Sequence, residues 1–140
     1  MRIAKWIAEL ILALLVSLSL FWRFEQSRET ASAIQQFHER LNAGAFDKIC
    51  EDAFACRTSA DLRNGWNSVL QEVRDRGGKF RAVKTSEIKA YKEPPLVRAD
   101  YVSSFEKTEI REIFILKRLD GRLRIFSFQT VTKEPRPPVP

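Results

Sequence analysis

The chain has 140 residues, of which 24 are Lys or Arg, 18 are Asp or Glu and 44% are hydrophobic, and its net charge is +6. This composition is typical of a folded protein with one domain, and it excludes an intrinsically disordered chain. The charge is unevenly distributed: residues 79–140 contain fourteen basic and eight acidic residues, so the basic excess belongs to the C-terminal half.

An apolar run of 17 residues, from Trp6 to Trp22, follows a basic start of the chain. At about 1.5 Å per residue it forms about 25 Å of helix, near the shortest length that spans a hydrocarbon core of about 30 Å. Glu9, its one charge, lies close enough to the end to reach the headgroups, and Trp rings at both ends suit the two interfaces. Residues 1–24 are therefore predicted to contact the lipid bilayer as an anchor.

A cleaved signal peptide is the alternative, with Arg2 and Lys5 as its basic start and Leu10–Trp22 as its apolar core. The one A-x-A signal downstream, Ala31–Ala33, lies far from that core and inside the next predicted helix. The sequence leaves open whether the segment is cleaved. A positive-inside count slightly favours a cytoplasmic N-terminus, which would place the domain on the other side.

Two cysteines, Cys50 and Cys56, are six residues apart. They form no C-x-x-C motif, and one histidine, His38, is too few for a zinc site, so no metal is predicted. An even pair of cysteines behind an export segment is typical of a disulfide, which favours a compartment outside the cytoplasm. Phosphate loops, dinucleotide fingerprints and nucleophile motifs do not occur, so no cofactor is predicted.

The first half of the domain has helical periodicity. Residues 27–43 have an apolar stripe at every third or fourth position, formed by Ala31, Ile34, Phe37 and Leu41. His38 lies just beside this stripe and is expected to be partly exposed. A short second helix follows Gly44. A third begins at a capping box, Thr58 to Asp61, and ends at Gly77-Gly78.

From Lys79 onward the apolar residues recur at every second position, which is the period of a β-strand. Residues 80–93 predict a strand that Pro94-Pro95 ends, and the next strand places Tyr101 and its alternate neighbours on one face. Asp120-Gly121 predicts a type I′ turn between strands 109–119 and 122–132. Uninterrupted pairing from that turn would place Phe114 opposite Ser127, and residues 134–140 are predicted to form a flexible Pro-rich tail.

Three stretches carry a family resemblance: Leu41–Ile49, Asn64–Arg74 with the following Gly77-Gly78, and Asp120–Gln129. With three helices preceding a four-stranded meander, they resemble the NTF2-like (cystatin-like) α+β cone over residues 28–132, as found in small exported or membrane-anchored bacterial proteins. The resemblance implies an α+β fold: an N-terminal transmembrane helix, then three helices packed on a curved four-stranded antiparallel sheet, within a domain of residues 25–133. It implies no activity, because this fold has many functions.

A pocket protein with this fold would bind or isomerise a small hydrophobic molecule inside the cone. The candidate pocket residues are apolar or aromatic: Trp66, Tyr101, Phe105 and Phe114. Possible acid–base groups are Asp100, Tyr101, Tyr91 and His38, but Asp100 and Tyr101 are neighbours on a strand and point to opposite faces. No catalytic residue is assigned for this reason.

Four basic residues near the hairpin turn form the candidate basic surface: Lys117, Arg118, Arg122 and Arg124. They would either be solvated and prevent pairing between sheet edges, or contact anionic headgroups or an acidic partner. Phe126 and Phe128 are expected to be buried, and nucleic acid is not an expected partner.

The leading hypothesis is a non-enzymatic binding module anchored by a single helix in the bacterial inner membrane, with its domain in the periplasm. It would bind a protein partner in an envelope assembly, or form a homodimer. The alternatives are a small hydrophobic ligand-binding or isomerase-like pocket protein, and a surface module that binds anionic lipid. A secreted form after signal cleavage is also left open.

Overall fold

In a computed structural model, residues 2–53, 56, 59–90 and 96–131 are described, and they form three helices and one sheet. The helices are α1 (Arg2–Ala43), α2 (Phe46–Asp52) and α3 (Ala60–Gly77). The strands are β1 (Phe80–Ala90), β2 (Leu96–Phe105), β3 (Glu109–Leu119) and β4 (Arg122–Val131). The predicted α+β class is confirmed, as an open four-stranded antiparallel sheet in the order β1-β2-β3-β4. The Pro94-Pro95 break, Tyr91 and the tail lie outside the described residues.

The apolar segment and the first domain helix form one continuous helix of 42 residues. The sequence predicts two separate elements here, but residues 23–30 contain no Gly or Pro to interrupt the backbone hydrogen bonds. Every residue from 2 to 24 is exposed, including the whole apolar run. A long, exposed, apolar N-terminal helix is consistent with a single membrane anchor.

The C-terminal part of α1 buries a narrow face against the sheet. Thr30, Ile34, Phe37, His38 and Leu41 recur at the spacing of one helix face and are buried. The predicted stripe is confirmed at three of these positions, whereas Ala31, which it also included, is exposed. Gly44, with a φ of 69°, ends the helix as its sequence predicts.

A disulfide bond links α2 to the segment that connects it with α3. Cys50 and Cys56 are bonded as predicted, their Cα atoms lie 5.2 Å apart, and both side chains are buried. Ser59 caps α3, since its hydroxyl accepts a hydrogen bond from the Leu62 amide at 3.1 Å. The predicted cap, Thr58, lies outside the described residues. A bridge of this length stabilises the fold by about 2–3 kcal/mol in the chain-entropy model.

The sheet has one buried face. Alternate residues of β2 are buried from Val97 to Phe105, as the period of two predicts. Residues from all three helices and from all strands except β1 form the main core, which Phe80 and Ile88 of β1 partly join. At the far end of α1, the Asn42 side chain accepts a hydrogen bond from the Phe80 amide (2.8 Å) and donates one to the Phe80 carbonyl (3.0 Å).

The β3–β4 hairpin corrects the predicted register beyond its turn. Asp120 and Gly121 both have positive φ, as a type I′ turn requires, and Leu116 pairs with Ile125 as predicted. A register shift then places Ile115 opposite Ser127 and Phe114 opposite Phe128. The cause is one extra residue in β4, a β-bulge, which moves every later side chain of β4 by one position.

The bulge also separates two phenylalanines that were both expected to be buried. Phe128 enters the core at 9% exposure, whereas Phe126 is 37% exposed. The expectation is thus confirmed for Phe128 and wrong for Phe126. Uninterrupted pairing would have placed both rings on the face opposite the core.

Matched truncations of two phenylalanines test this arrangement. We expect Phe128→Ala to lower the free energy of unfolding by about 3–5 kcal/mol, because the bulge buries this ring and its removal leaves a cavity. Phe126→Ala, the control, should cost about 1 kcal/mol or less, since that ring is partly exposed. Urea unfolding of the full chain in detergent micelles, followed by near-ultraviolet circular dichroism, gives both values. Equal losses for the two variants would contradict the bulged register.

Candidate functional site

Three of the four predicted pocket residues are packed in the core. Phe114 is fully buried, and Tyr101 and Phe105 are 5% and 4% exposed. Tyr101 and Phe114 meet edge to face, with ring centroids 5.8 Å apart. Trp66 is half-buried and packs against both the main core and the disulfide cluster. The space of the predicted pocket is therefore occupied by the protein's own side chains.

A histidine–glutamate pair lies within this core. His38 on α1 is 2% exposed and Glu112 on β3 is fully buried. The Nε2 atom of His38 lies 2.9 Å and 3.1 Å from the two carboxylate oxygens of Glu112. Because a carboxylate only accepts hydrogen bonds, the imidazole donates through Nε2. The expectation of a partly exposed His38 is wrong, since the buried face of α1 extends from Phe37 to include it.

Aromatic rings enclose the pair. The imidazole stacks on Phe80 with centroids 3.8 Å apart and an interplanar angle of 3°. Tyr101 is the cross-strand neighbour of Glu112. Burial, together with the nearby Glu112 carboxylate, raises the pKa of the Tyr101 hydroxyl above its usual 10.0. The tyrosine therefore keeps its proton at neutral pH, and its contribution to stability is lost only as the pH rises above 10.

The pair supports a structural role for these residues. Both partners are nearly inaccessible, so a substrate has no path to them in this structure. Asp100 lies on the opposite face of β2 and accepts a hydrogen bond from Arg98 Nε at 3.2 Å. The predicted separation of Asp100 from Tyr101 is confirmed, and Tyr91 lies outside the described residues.

Glu112 was missed by the sequence analysis. A signal for it existed: Ile110, Glu112, Phe114 and Leu116 alternate along β3, and three of these four are large apolar residues. One carboxylate in a buried register predicts a partner, because an unpaired buried charge is very costly. His38, the single histidine of the chain, was the available candidate.

Trp66 lines a cleft outside the core. It has a volume of about 490 Å³ and lies between α1, the end of α2, Trp66 and residues 121–125 of the hairpin. Apolar groups on its wall include Phe37, Ile49 and Leu123. On α1 it runs from Glu25 to Arg40, which is about 22 Å along the helix axis. We call it the α1–β4 cleft.

The charges of the α1–β4 cleft are only partly paired within the protein. Arg40 forms an ion pair with Asp52. Glu29 accepts hydrogen bonds from Arg118 at 3.2 and 3.3 Å, which fixes the hairpin turn beside α1. The remaining charged lining residues make no ion pair with another described residue: Glu25, Arg28, Arg122 and Arg124.

The predicted basic surface is divided between the two faces of the hairpin. Arg118 faces α1, where it binds Glu29 and donates to the Gly121 carbonyl at 3.1 Å. Lys117 and Arg124 are cross-strand neighbours, and Lys117 Nζ lies 5.9 Å from the centre of the Phe126 ring. The register places Lys117, Arg122 and Arg124 on the face opposite Arg118. Arg122 and Arg124 line the α1–β4 cleft because β4 is the edge strand of the sheet and the cleft runs along that edge.

Among the described residues, no group of three His, Cys, Asp or Glu side chains is placed to hold a metal ion. Fold and cleft define the class: an α+β protein with a long apolar N-terminal helix and a charged cleft beside its sheet. The chain matches no family model, no curated protein and no solved structure. The NTF2-like resemblance stays a prediction.

Substitutions of the His38–Glu112 pair test its role in stability. We expect His38→Leu to lower the free energy of unfolding by about 3–5 kcal/mol, because it leaves a buried carboxylate without its partner. The double variant His38→Leu/Glu112→Leu should be more stable than the His38→Leu variant, since no unpaired group remains. Urea unfolding of the wild type, His38→Leu, Glu112→Leu and the double variant completes a double-mutant cycle and measures the coupling free energy between the two side chains. Additive losses would show that the two side chains do not interact.

Proposed function

We propose that the protein is a non-enzymatic binding module of the bacterial envelope. In this proposal α1 anchors it in the inner membrane, an NTF2-like domain lies in the periplasm, and the α1–β4 cleft holds the ligand. The observation that carries the proposal is the continuity of α1 from the apolar segment into the wall of the cleft. A helix without a break holds the cleft at a constant height above the bilayer.

The disulfide supports a periplasmic location. Cys50 and Cys56 are bonded and buried, as in proteins of oxidising compartments. The sequence contains no other cysteine, so no third thiol competes for the bridge. The apolar segment is left exposed by the rest of the described chain, as an anchor in lipid requires.

The cleft, rather than the core, supports a binding function. The core is filled by Tyr101, Phe105 and Phe114, so the isomerase-like pocket has no space there. The α1–β4 cleft has a volume in the range of ligand sites and a partly apolar wall. Seven of its lining residues are charged, which suits a ligand that carries charged groups. The protein partner expected from the sequence stays a prediction. If such a partner binds, we expect it to contact the α1–β4 cleft.

Thiol labelling in intact cells tests the location. We expect a membrane-impermeant maleimide to label the full chain only after treatment with an impermeant reductant, since both cysteines are oxidised and outside the cytoplasm. The double variant Cys50→Ala/Cys56→Ala, which should not react, is the control. Free thiols that react only after cell lysis would place the domain in the cytoplasm and overturn this part of the proposal.

Photo-crosslinking in living cells tests the cleft. Gln36 lines the cleft and its neighbour Gln35 does not, although both are exposed on α1. We expect Gln36→p-benzoylphenylalanine to capture an adduct that Gln35→p-benzoylphenylalanine does not capture. Mass spectrometry of the adduct distinguishes a lipid, a small molecule and a protein. Identical adducts from both positions, or none from position 36, would contradict binding in the cleft.

A further inference from the structure

Three arginines of the α1–β4 cleft have no anionic partner among the described residues. Arg28 projects from α1, while Arg122 and Arg124 belong to the first residues of β4. The other arginine that lines the cleft, Arg40, is neutralised by Asp52. The unpaired cations are thus those nearest to the apolar segment, and the paired one lies farther along α1.

The height of these arginines follows from the geometry of α1. Arg28 follows Trp22 by six residues, which corresponds to about 9 Å along the helix axis. Trp22 is the aromatic residue at the end of the apolar run and would mark the interface. The headgroup layer on each side of the hydrocarbon core is roughly 5–8 Å thick. An arginine side chain at this height can extend back into that layer.

The hairpin arginines are held at a similar height. Arg118 joins the hairpin to Glu29, the residue that follows Arg28 on α1. The turn residue Gly121 and the adjacent Arg122 both line the cleft. The contact therefore keeps this end of β4 beside the part of α1 that leaves the apolar segment.

Arg124 carries two unfavourable features within the protein. Its Nε atom is buried and has no hydrogen-bond partner among the described residues. Its cross-strand neighbour is Lys117, and like charges placed directly opposite each other destabilise a sheet. An anion bound at the Arg124 guanidinium would reduce the repulsion between Arg124 and Lys117.

We propose that Arg28, Arg122 and Arg124 bind the phosphate of an anionic phospholipid at the mouth of the α1–β4 cleft. This inference rests on the proposed function, because it requires α1 to hold the cleft at the bilayer. Guanidinium groups suit phosphate, since they donate several hydrogen bonds in a planar arrangement. Glu25 lies about one turn closer to the bilayer and opposes the binding, but the cleft lining contains three unpaired cations and this one unpaired carboxylate.

Retention of lipid on the intact protein tests the inference. The full chain is purified in detergent with equal amounts of phosphatidylglycerol and phosphatidylcholine, and native mass spectrometry counts the bound lipids. We expect at least about tenfold more phosphatidylglycerol than phosphatidylcholine, because each basic residue near an anionic surface strengthens its attraction. Arg28→Gln/Arg122→Gln/Arg124→Gln should retain the two lipids equally.

A control variant removes the same charge elsewhere. Arg81→Gln/Lys84→Gln/Arg111→Gln alters three exposed cations at the opposite end of the sheet and should keep the preference of the wild type. Near-ultraviolet circular dichroism confirms that both triple variants are folded. Loss of the preference in both variants would assign it to net charge alone and overturn the proposed site.

The source of the phosphate and the proposed function are tested separately. Soluble glycerol phosphate is added at millimolar concentration to the protein with phosphatidylcholine alone, and we expect no arginine-dependent binding. Binding there without a preference for phosphatidylglycerol would identify a site for free phosphate and overturn the lipid inference. A protein adduct at position 36, together with no preference for phosphatidylglycerol, would also overturn the lipid inference. The proposed function of the cleft as a binding site would then still be supported.

Discussion

The attachment of α1 to the sheet is the constraint on which the rest of the structure depends. Three polar contacts hold it at successive levels: Glu29 with Arg118, His38 with Glu112, and Asn42 with the backbone of Phe80. Apolar burial supplies most of the stabilisation, but it is not directional. The polar contacts fix the level of the helix, because a shift by one turn would leave a buried carboxylate unpaired.

Of these three polar contacts, the one between His38 and Glu112 restricts the packing of the core most strongly. Glu112 is fully buried and both of its oxygens lie within hydrogen-bonding distance of one imidazole nitrogen. The parallel stacking of the imidazole on Phe80 fixes the plane of the ring as well. Such a pair adds little net stability compared with apolar residues of equal size, and its value lies in selecting one arrangement of helix and sheet. The cleft depends on that arrangement, because its two long walls are α1 and β4.

Much of the architecture could be predicted from the sequence, because periodicity and turn chemistry are local signals. The alternation in β2, the Asp120-Gly121 turn and the Cys50–Cys56 bond are all found in the structure. The β-bulge was not predictable from the pattern, since Ile125 to Phe128 reads as acceptable in either register. The continuity of α1 was missed because a change in composition at Arg23 looks like a boundary, although composition alone does not end a helix.

The candidate site was less predictable than the fold, since it depends on which distant residues meet. Glu112 was overlooked because the hairpin was analysed for its apolar pairs, and His38 was assigned to the surface from its position beside the stripe. The cleft needs α1, α2, Trp66 and β4 together, and no local pattern reports such a combination. The four basic residues were grouped by sequence proximity, but neighbours on a strand face opposite ways, which separates Arg118 from the others.

An unbroken α1 also fixes the direction in which the domain faces. Successive residues of an α-helix are rotated by about 100° around the axis, so rotation and height change together along the helix. Lengthening the segment between Trp22 and Glu29 by one residue would turn the α1–β4 cleft by more than a quarter of a circle, while raising it only about 1.5 Å. Seven added residues, close to two full turns, would nearly restore its facing at a greater height. The length of this short segment therefore determines the direction in which the cleft faces as well as its height above the bilayer.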